Sequence, residues 1–143
     1  MQSIEQAWSK LLVDSNDAIL IAADTEEGPQ WCHLAAQVVT VGNGIVVYID
    51  NNLFRRQQAA EFSTKIKTGT IDRLNDFKAA FTDNYGFTKA LIISDHLSEY
   101  IEPVIDNLAK GSVLMLRSQD PEPPVLNFST GRLHYDQMTI ISG

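Results

Sequence analysis

Residues 44–56, GIVVYIDNNLFRR, carry an apolar run straight into Asp50, two asparagines and the adjacent pair Arg55 and Arg56. A carboxylate at the end of a buried strand can bind a divalent cation, and Asp24, with Glu26 and Glu27 close by, offers acids to share such a site with Asp50. A second candidate is Ser94-Asp95-His96, which follows an apolar run and opens a predicted helix, where backbone N–H groups can meet an anion or another ligand. Each has a plainer reading: Asp50-Asn51-Asn52 as a strand end and turn, Ser94 or Asp95 as a helix cap. Cys32 and His33 are not nucleophile and base, because neighbours in the strand expected there point to opposite faces. One thiol and three histidines are poor material for zinc, and Cys32 reads as a small buried hydrophobe. Ser129 sits in a turn and not in a nucleophile elbow. The DTEEG and GNG stretches lack the strand-to-helix setting of a phosphate loop, and His33 and His134 read as structural histidines.

Composition limits these options. With 143 residues, 44% of them hydrophobic and 20% charged, the chain is expected to form a single domain, 1–143, around one core. Net charge is −7, unevenly spread: residues 1–50 hold seven acids and one base, 51–90 seven bases and four acids, and 91–143 seven acids and three bases. A cationic patch of Arg55, Arg56, Lys65, Lys67 and Arg73 can be drawn in the middle. The acidic whole nevertheless opposes general nucleic-acid binding, which needs a broad positive field. No apolar run is long enough for a membrane span, and the N-terminus lacks signal-peptide order, so a cytoplasmic protein is expected.

Periodicity supplies the elements. Ser3 and Gln6 stand in capping-box spacing ahead of a stripe of Ile4, Ala7, Trp8, Leu11 and Leu12, which predicts an amphipathic helix. AILIAAD reads as a strand covered on both faces. WCHLAAQVVTVG and GIVVYID flank Gly42, Asn43 and Gly44 and are expected to pair as an antiparallel hairpin. A short helix is expected around Gln57–Phe62, then a helix from Thr70 to Gly86. KALIIS and SVLMLRS are buried strands joined by a helix over 95–111, which favours a parallel crossover; Pro103 must lie in that helix's first turn or kink it. The tail VLNFSTGRLHYDQMTII is expected to form a terminal hairpin turning at Thr130 and Gly131.

The segments TIDRLNDFKAAFTDNYGFTKALIIS and DHLSEYIEPVIDNLAKGSVLML, in this element order, resemble the end of an Mrr-type domain of the PD-(D/E)xK, restriction-endonuclease-like superfamily. The resemblance implies an α/β, three-layer core (helix, three-strand meander, helix, strand, helix, strand) with an added C-terminal β-hairpin. It also implies a metal site of carboxylates and a lysine. Tyr48, Ile49 and Asp50 stand where the family carries glutamine, valine and lysine, so the lysine is missing and Asp24 and Asp50 mark degenerate positions.

The expectation is therefore a non-catalytic protein-interaction module on a nuclease-like scaffold (an immunity, adaptor, regulatory or structural subunit), with a protein partner, no cofactor, and a homo-oligomer conceivable through the terminal hairpin. Two alternatives stay open: a divergent metal-dependent nuclease or nucleic-acid-binding domain, and a small-ligand or nucleotide-binding domain using Ser94, Asp95 and His96 at the strand ends.

Overall fold

The computed structural model describes residues 2–119 and 137–143. The chain enters through α1 (Ile4–Ser9), whose capping box joins Ser3 and Gln6 reciprocally as their spacing predicts. It then alternates strand and helix: β1 (Ala18–Ala23), α2 (Gly28–Val39), β2 (Ile45–Ile49), α3 (Leu53–Ala60), β3 (Ile66–Gly69), α4 (Leu74–Thr82), β4 (Phe87–Ile93), α5 (Ile101–Ile105), β5 (Leu108–Arg117) and β6 (Thr139–Ser142). Six strands form one sheet in the order β3-β2-β1-β4-β5-β6, and every pairing is parallel.

Helices cover both faces, which is why the central strands are apolar throughout instead of alternating. Alternate residues of each strand feed two cores. Ile19, Ile21, Val46, Tyr48 and Leu91 pack with Trp31, Ala35 and Val39 of α2 and Ala59 of α3. Leu20, Ala22, Val47, Ile49 and Ile92 pack on the other side with Leu74 of α4 and Ile101, Val104 and Ile105 of α5. Each fully buried Leu, Ile or Phe side chain contributes roughly 1.5–3 kcal/mol.

The largest departure from the sequence reading lies at 31–41. The expected strand is the body of α2, with Trp31, Cys32, Ala35, Ala36 and Val39 buried along one stripe and Pro29 in the first turn, where it forfeits no helical hydrogen bond. The antiparallel hairpin is thus corrected to a parallel β1-α2-β2 unit with Leu20 beside Val47. The three-strand meander goes with it, and so does the restriction-endonuclease-like layout; α/β holds as the class.

Smaller corrections follow. The expected short helix begins earlier, at Leu53, on an Asn52 cap that accepts the Arg55 N–H, and β3 follows it in a polar stretch for which the sequence predicts no strand. The long helix over 95–111 contracts to a 3-10 turn at Leu97–Glu99 and the five residues of α5. Pro103 lies early in α5 without breaking it. The register of β4 on β5 shifts between Phe87 and Lys89, and Gly111, at φ +78° with open space around the place of a Cβ, marks the excursion. The β4-β5 pairing is parallel, as the crossover pattern predicts. Most of the terminal hairpin, with its turn at Thr130 and Gly131, lies outside the described residues; the described end, β6, runs parallel to β5. Among the described residues no helix is long and apolar enough to cross a membrane.

Candidate functional site

Because all strands run one way, the residues that follow them gather at one end of the sheet: Asp24 after β1, Asp50 after β2, Ser94 and Asp95 after β4, Ser118 and Gln119 after β5. The order in which strands are added reverses between β1 and β4, with β2 and β3 laid down on one side of β1 and β4 and β5 on the other. Connections leave this point toward opposite faces, which opens a crevice. A cleft of about 590 Å³ occupies it, lined by Asp24, Thr25, Glu26, Glu27, Gln30, Arg55, Asp95 and Gln119.

Three hydrogen-bonded groups form its walls. The first is centred on Asp50, whose side chain is fully buried. Its Oδ2 accepts the Tyr48 hydroxyl at 2.5 Å and Arg55 Nε at 2.7 Å, and its Oδ1 accepts Arg55 Nη2 at 3.1 Å and the Asn52 N–H at 2.9 Å. Arg55 Nη1 reaches on to Glu26 at 3.3 Å. Burial, then the bond to Asp50, pushes the Tyr48 phenol far up from its ordinary value, while the bond to Asp50 pushes the Arg55 guanidinium up.

In the second, Glu27 takes a forked grip from Arg117, with Nε at 2.6 Å and Nη2 at 3.0 Å, and also accepts Trp31 Nε1 at 2.9 Å. The guanidinium lies 5.3 Å from the Trp31 ring centre, a cation–π contact. Burial opposes ionisation of Glu27, but the bonds from Arg117 and Trp31 outweigh it and hold the carboxyl below its ordinary value.

The third joins Asp24 to Ser94 Oγ at 2.8 Å and to the Tyr100 hydroxyl at 3.2 Å. Burial, and then the charge of Asp24, raise the Tyr100 phenol to about 12.

The sequence-derived candidates distribute unevenly over this geometry. Asp24 and Asp50 both reach the crevice end of the sheet, but each belongs to its own group. Among the described residues no set of three or more His, Cys, Asp or Glu side chains is placed to hold a metal ion. Ser94 is buried and faces Asp24 while accepting the His96 N–H at 2.8 Å. Asp95 accepts Ser118 Oγ and the Gln119 N–H, tying the β4 and β5 loops together. His96 is exposed and is not among the residues lining the cleft.

The cationic residues divide between the two ends of the sheet. Arg55 is held by Asp50, and Arg56 donates to the Asp50 carbonyl at 2.7 Å. Lys65 donates to the carbonyls of Val39 and Gly42 at the opposite end, Lys67 is half-buried on β3, and Arg73 makes an exposed pair with Asp76. Cys32 is buried in α2, its thiol pushed well up by burial and then by the charge of Asp50, while His33 faces out and stacks on Phe62 at 4.6 Å. His134 and Ser129 lie outside the described residues. Sequence reasoning missed Arg117, Tyr100, Tyr48, Gln30 and Gln119. The position of Arg117 at the end of an apolar strand was the one visible signal, since an arginine there must find an acid or solvent.

Comparison with solved structures gives this architecture a context. A D-arabinose dehydrogenase from Sulfolobus solfataricus superposes with a TM-score of 0.73 at 12% identity over 97% of this chain and 41% of its own. A short chain alcohol dehydrogenase (rspB) from E. coli CFT073, complexed with NADH, gives 0.76 at 15% over 96% and 39%. The fold is Rossmann-like. An acetophenone reductase from Geotrichum candidum in complex with NAD gives 0.70 at 15% over 95% and 36%. The chain therefore spans about two fifths of the length of these Rossmann-like proteins. No family model and no curated protein matches the sequence. These similarities overturn the nuclease resemblance and take away the scaffold on which the non-catalytic interaction reading was built, and the missing lysine loses its meaning because the all-parallel sheet of the described residues has no three-strand meander to carry it.

Proposed function

We propose that the chain is a small-ligand-binding domain of Rossmann-like build, holding a nucleotide-sized molecule at the carboxyl ends of β1 and β4. One observation carries the reading: the 590 Å³ cleft coincides with the point where the strand order reverses, the place where open parallel sheets bind ligands. An alcohol dehydrogenase and an acetophenone reductase of this fold, solved with NADH and NAD, support it by analogy of architecture alone. The lining is polar, so orientation of the ligand comes from hydrogen bonds to Thr25, Gln30, Asp95 and Gln119 and from the carboxylates around them.

A thermal-shift screen of nucleosides, nucleotides, dinucleotides, sugars and polyols tests the proposal. A ligand at 100 times its Kd stabilises by about 2.7 kcal/mol. Gln30→Trp, on an exposed position lining the cleft, should abolish the shift by filling the space. A panel without any saturable shift, or a shift that survives Gln30→Trp, overturns the proposal.

A further inference from the structure

We infer that this crevice does not take the pyrophosphate of a nicotinamide dinucleotide, and that paired side chains of the chain itself hold the strand ends where such a cofactor would lie. The inference rests on the reading of the crevice as a ligand site and narrows its ligand to molecules without phosphate.

A dinucleotide phosphate in this fold needs unpaired N–H groups at the start of the first crossover helix, and glycines that let backbone approach it. Neither is present. The turn from β1 to α2 reads Asp24-Thr25-Glu26-Glu27-Gly28-Pro29, three carboxylates in six residues. The donors where the turn enters α2 are occupied internally. Glu27 N–H bonds Thr25 Oγ1 at 3.4 Å, Gly28 N–H bonds the Thr25 carbonyl at 3.2 Å and Gln30 N–H the Glu27 carbonyl at 3.1 Å, while Pro29 has no N–H. Gly28 does not open the turn to a ligand either, because a Cβ on it would meet the Tyr48 hydroxyl at 2.1 Å. Its missing side chain makes room for Tyr48.

The remaining recognition groups are closed in the same way. An acid at the end of the second strand receives the ribose hydroxyls in dinucleotide domains. Here both oxygens of Asp50 are filled by Tyr48, Arg55 and Asn52, and its side chain is fully buried. Arg55, which lines the crevice, and Arg117, behind Glu27, are each neutralised by a forked carboxylate. A pyrophosphate entering would face Asp24, Glu26, Glu27 and Asp95, and among the described residues no arginine lining the crevice is left without a carboxylate to offset them.

Titration of the full chain with NAD+, NADH, NADP+, ADP and inorganic pyrophosphate, by calorimetry and thermal shift, tests the inference. No saturable binding is expected up to millimolar concentration; saturable binding of any of the five that Gln30→Trp removes would overturn it. Adenosine and neutral sugars form the other arm. A sugar or nucleoside that binds while the five do not supports both this inference and the ligand-site reading. A panel in which nothing binds defeats the ligand-site reading alone, and NAD+ binding defeats this inference alone. Without ligand, Arg55→Met and Arg117→Met should each lower Tm by several degrees; unchanged melting in both would show that the pairs do not hold the strand ends.

Discussion

The two ends of the sheet use similar charges for different ends. At the amino end Asp17 accepts the Asp14 N–H at 2.8 Å and Thr88 Oγ1 at 2.7 Å, and pairs with Lys89 at 3.3 Å. Beside it the Gly44 N–H meets the Ser15 carbonyl at 2.8 Å, and a Cβ on Gly44 would come within 2.6 Å of the Asp17 carbonyl. Loops there close directly on one another, backbone against backbone. At the carboxyl end Asp50, Glu27 and Asp24 are bound chiefly by the side chains of Arg55, Arg117, Ser94 and Tyr100, which leaves the cleft between them. Charge pairing thus seals one end and props the other open.

Breaking each end separately tests that contrast. The largest loss is expected for Asp50→Ala, about 3–5 kcal/mol, because Arg55 and the Tyr48 hydroxyl lose a fully buried partner; denaturant unfolding measures it. A residue that merely ended a strand would leave stability almost unchanged, so this experiment also separates the structure from the plain sequence reading of Asp50. Asp17→Asn at the sealed end should cost less, about 1.5–3 kcal/mol, since asparagine retains part of the hydrogen bonding.

Smaller effects depend on pH. Glu27 is held below its ordinary 4.5, so its contribution is present above that pH and disappears as pH falls through the depressed folded value; Glu27→Gln should flatten the acid limb of a Tm-against-pH curve. Tyr100 is raised to about 12. Its contribution is complete below pH 10 and is lost as pH rises toward 12, and Tyr100→Phe should remove part of that alkaline loss. The smallest change, below about 0.5 kcal/mol, belongs to Arg73→Ala, whose pair with Asp76 is exposed on both sides.

Much of the sheet was legible because buried parallel strands are short apolar runs: β1, β2, β4 and the second half of β5 stand out in the sequence, as do α1 and α4. One misreading displaced the rest. The β-branched stretch Val38 to Val41, which ends α2 and runs just past it, and the Gly-Asn-Gly after it imitate a strand and its turn. The helical spacing of Trp31, Ala35 and Val39, together with Pro29, carried the contrary signal. Taking that segment as a strand makes β1 to β2 a meander; taking it as a helix makes the connection parallel and changes the fold that the element order resembles. The strand β3, four residues containing a lysine and a glycine, carries too little apolar pattern to be seen. Asp24, Asp50 and Asp95 could be placed at strand ends from sequence. Their partners could not, since Tyr100 and Arg117 lie 76 and 90 positions from the acids they bind, and no local spacing encodes such a meeting.

The excursion around Gly111 lies at the sealed end, where β5 slips past β4 and a side chain would meet open space. Changes of chain length can be absorbed there without moving Asp24 or Asp95. A short peptide tag inserted after Gly111 would therefore give a tether for surface immobilisation that leaves the opposite mouth facing solution.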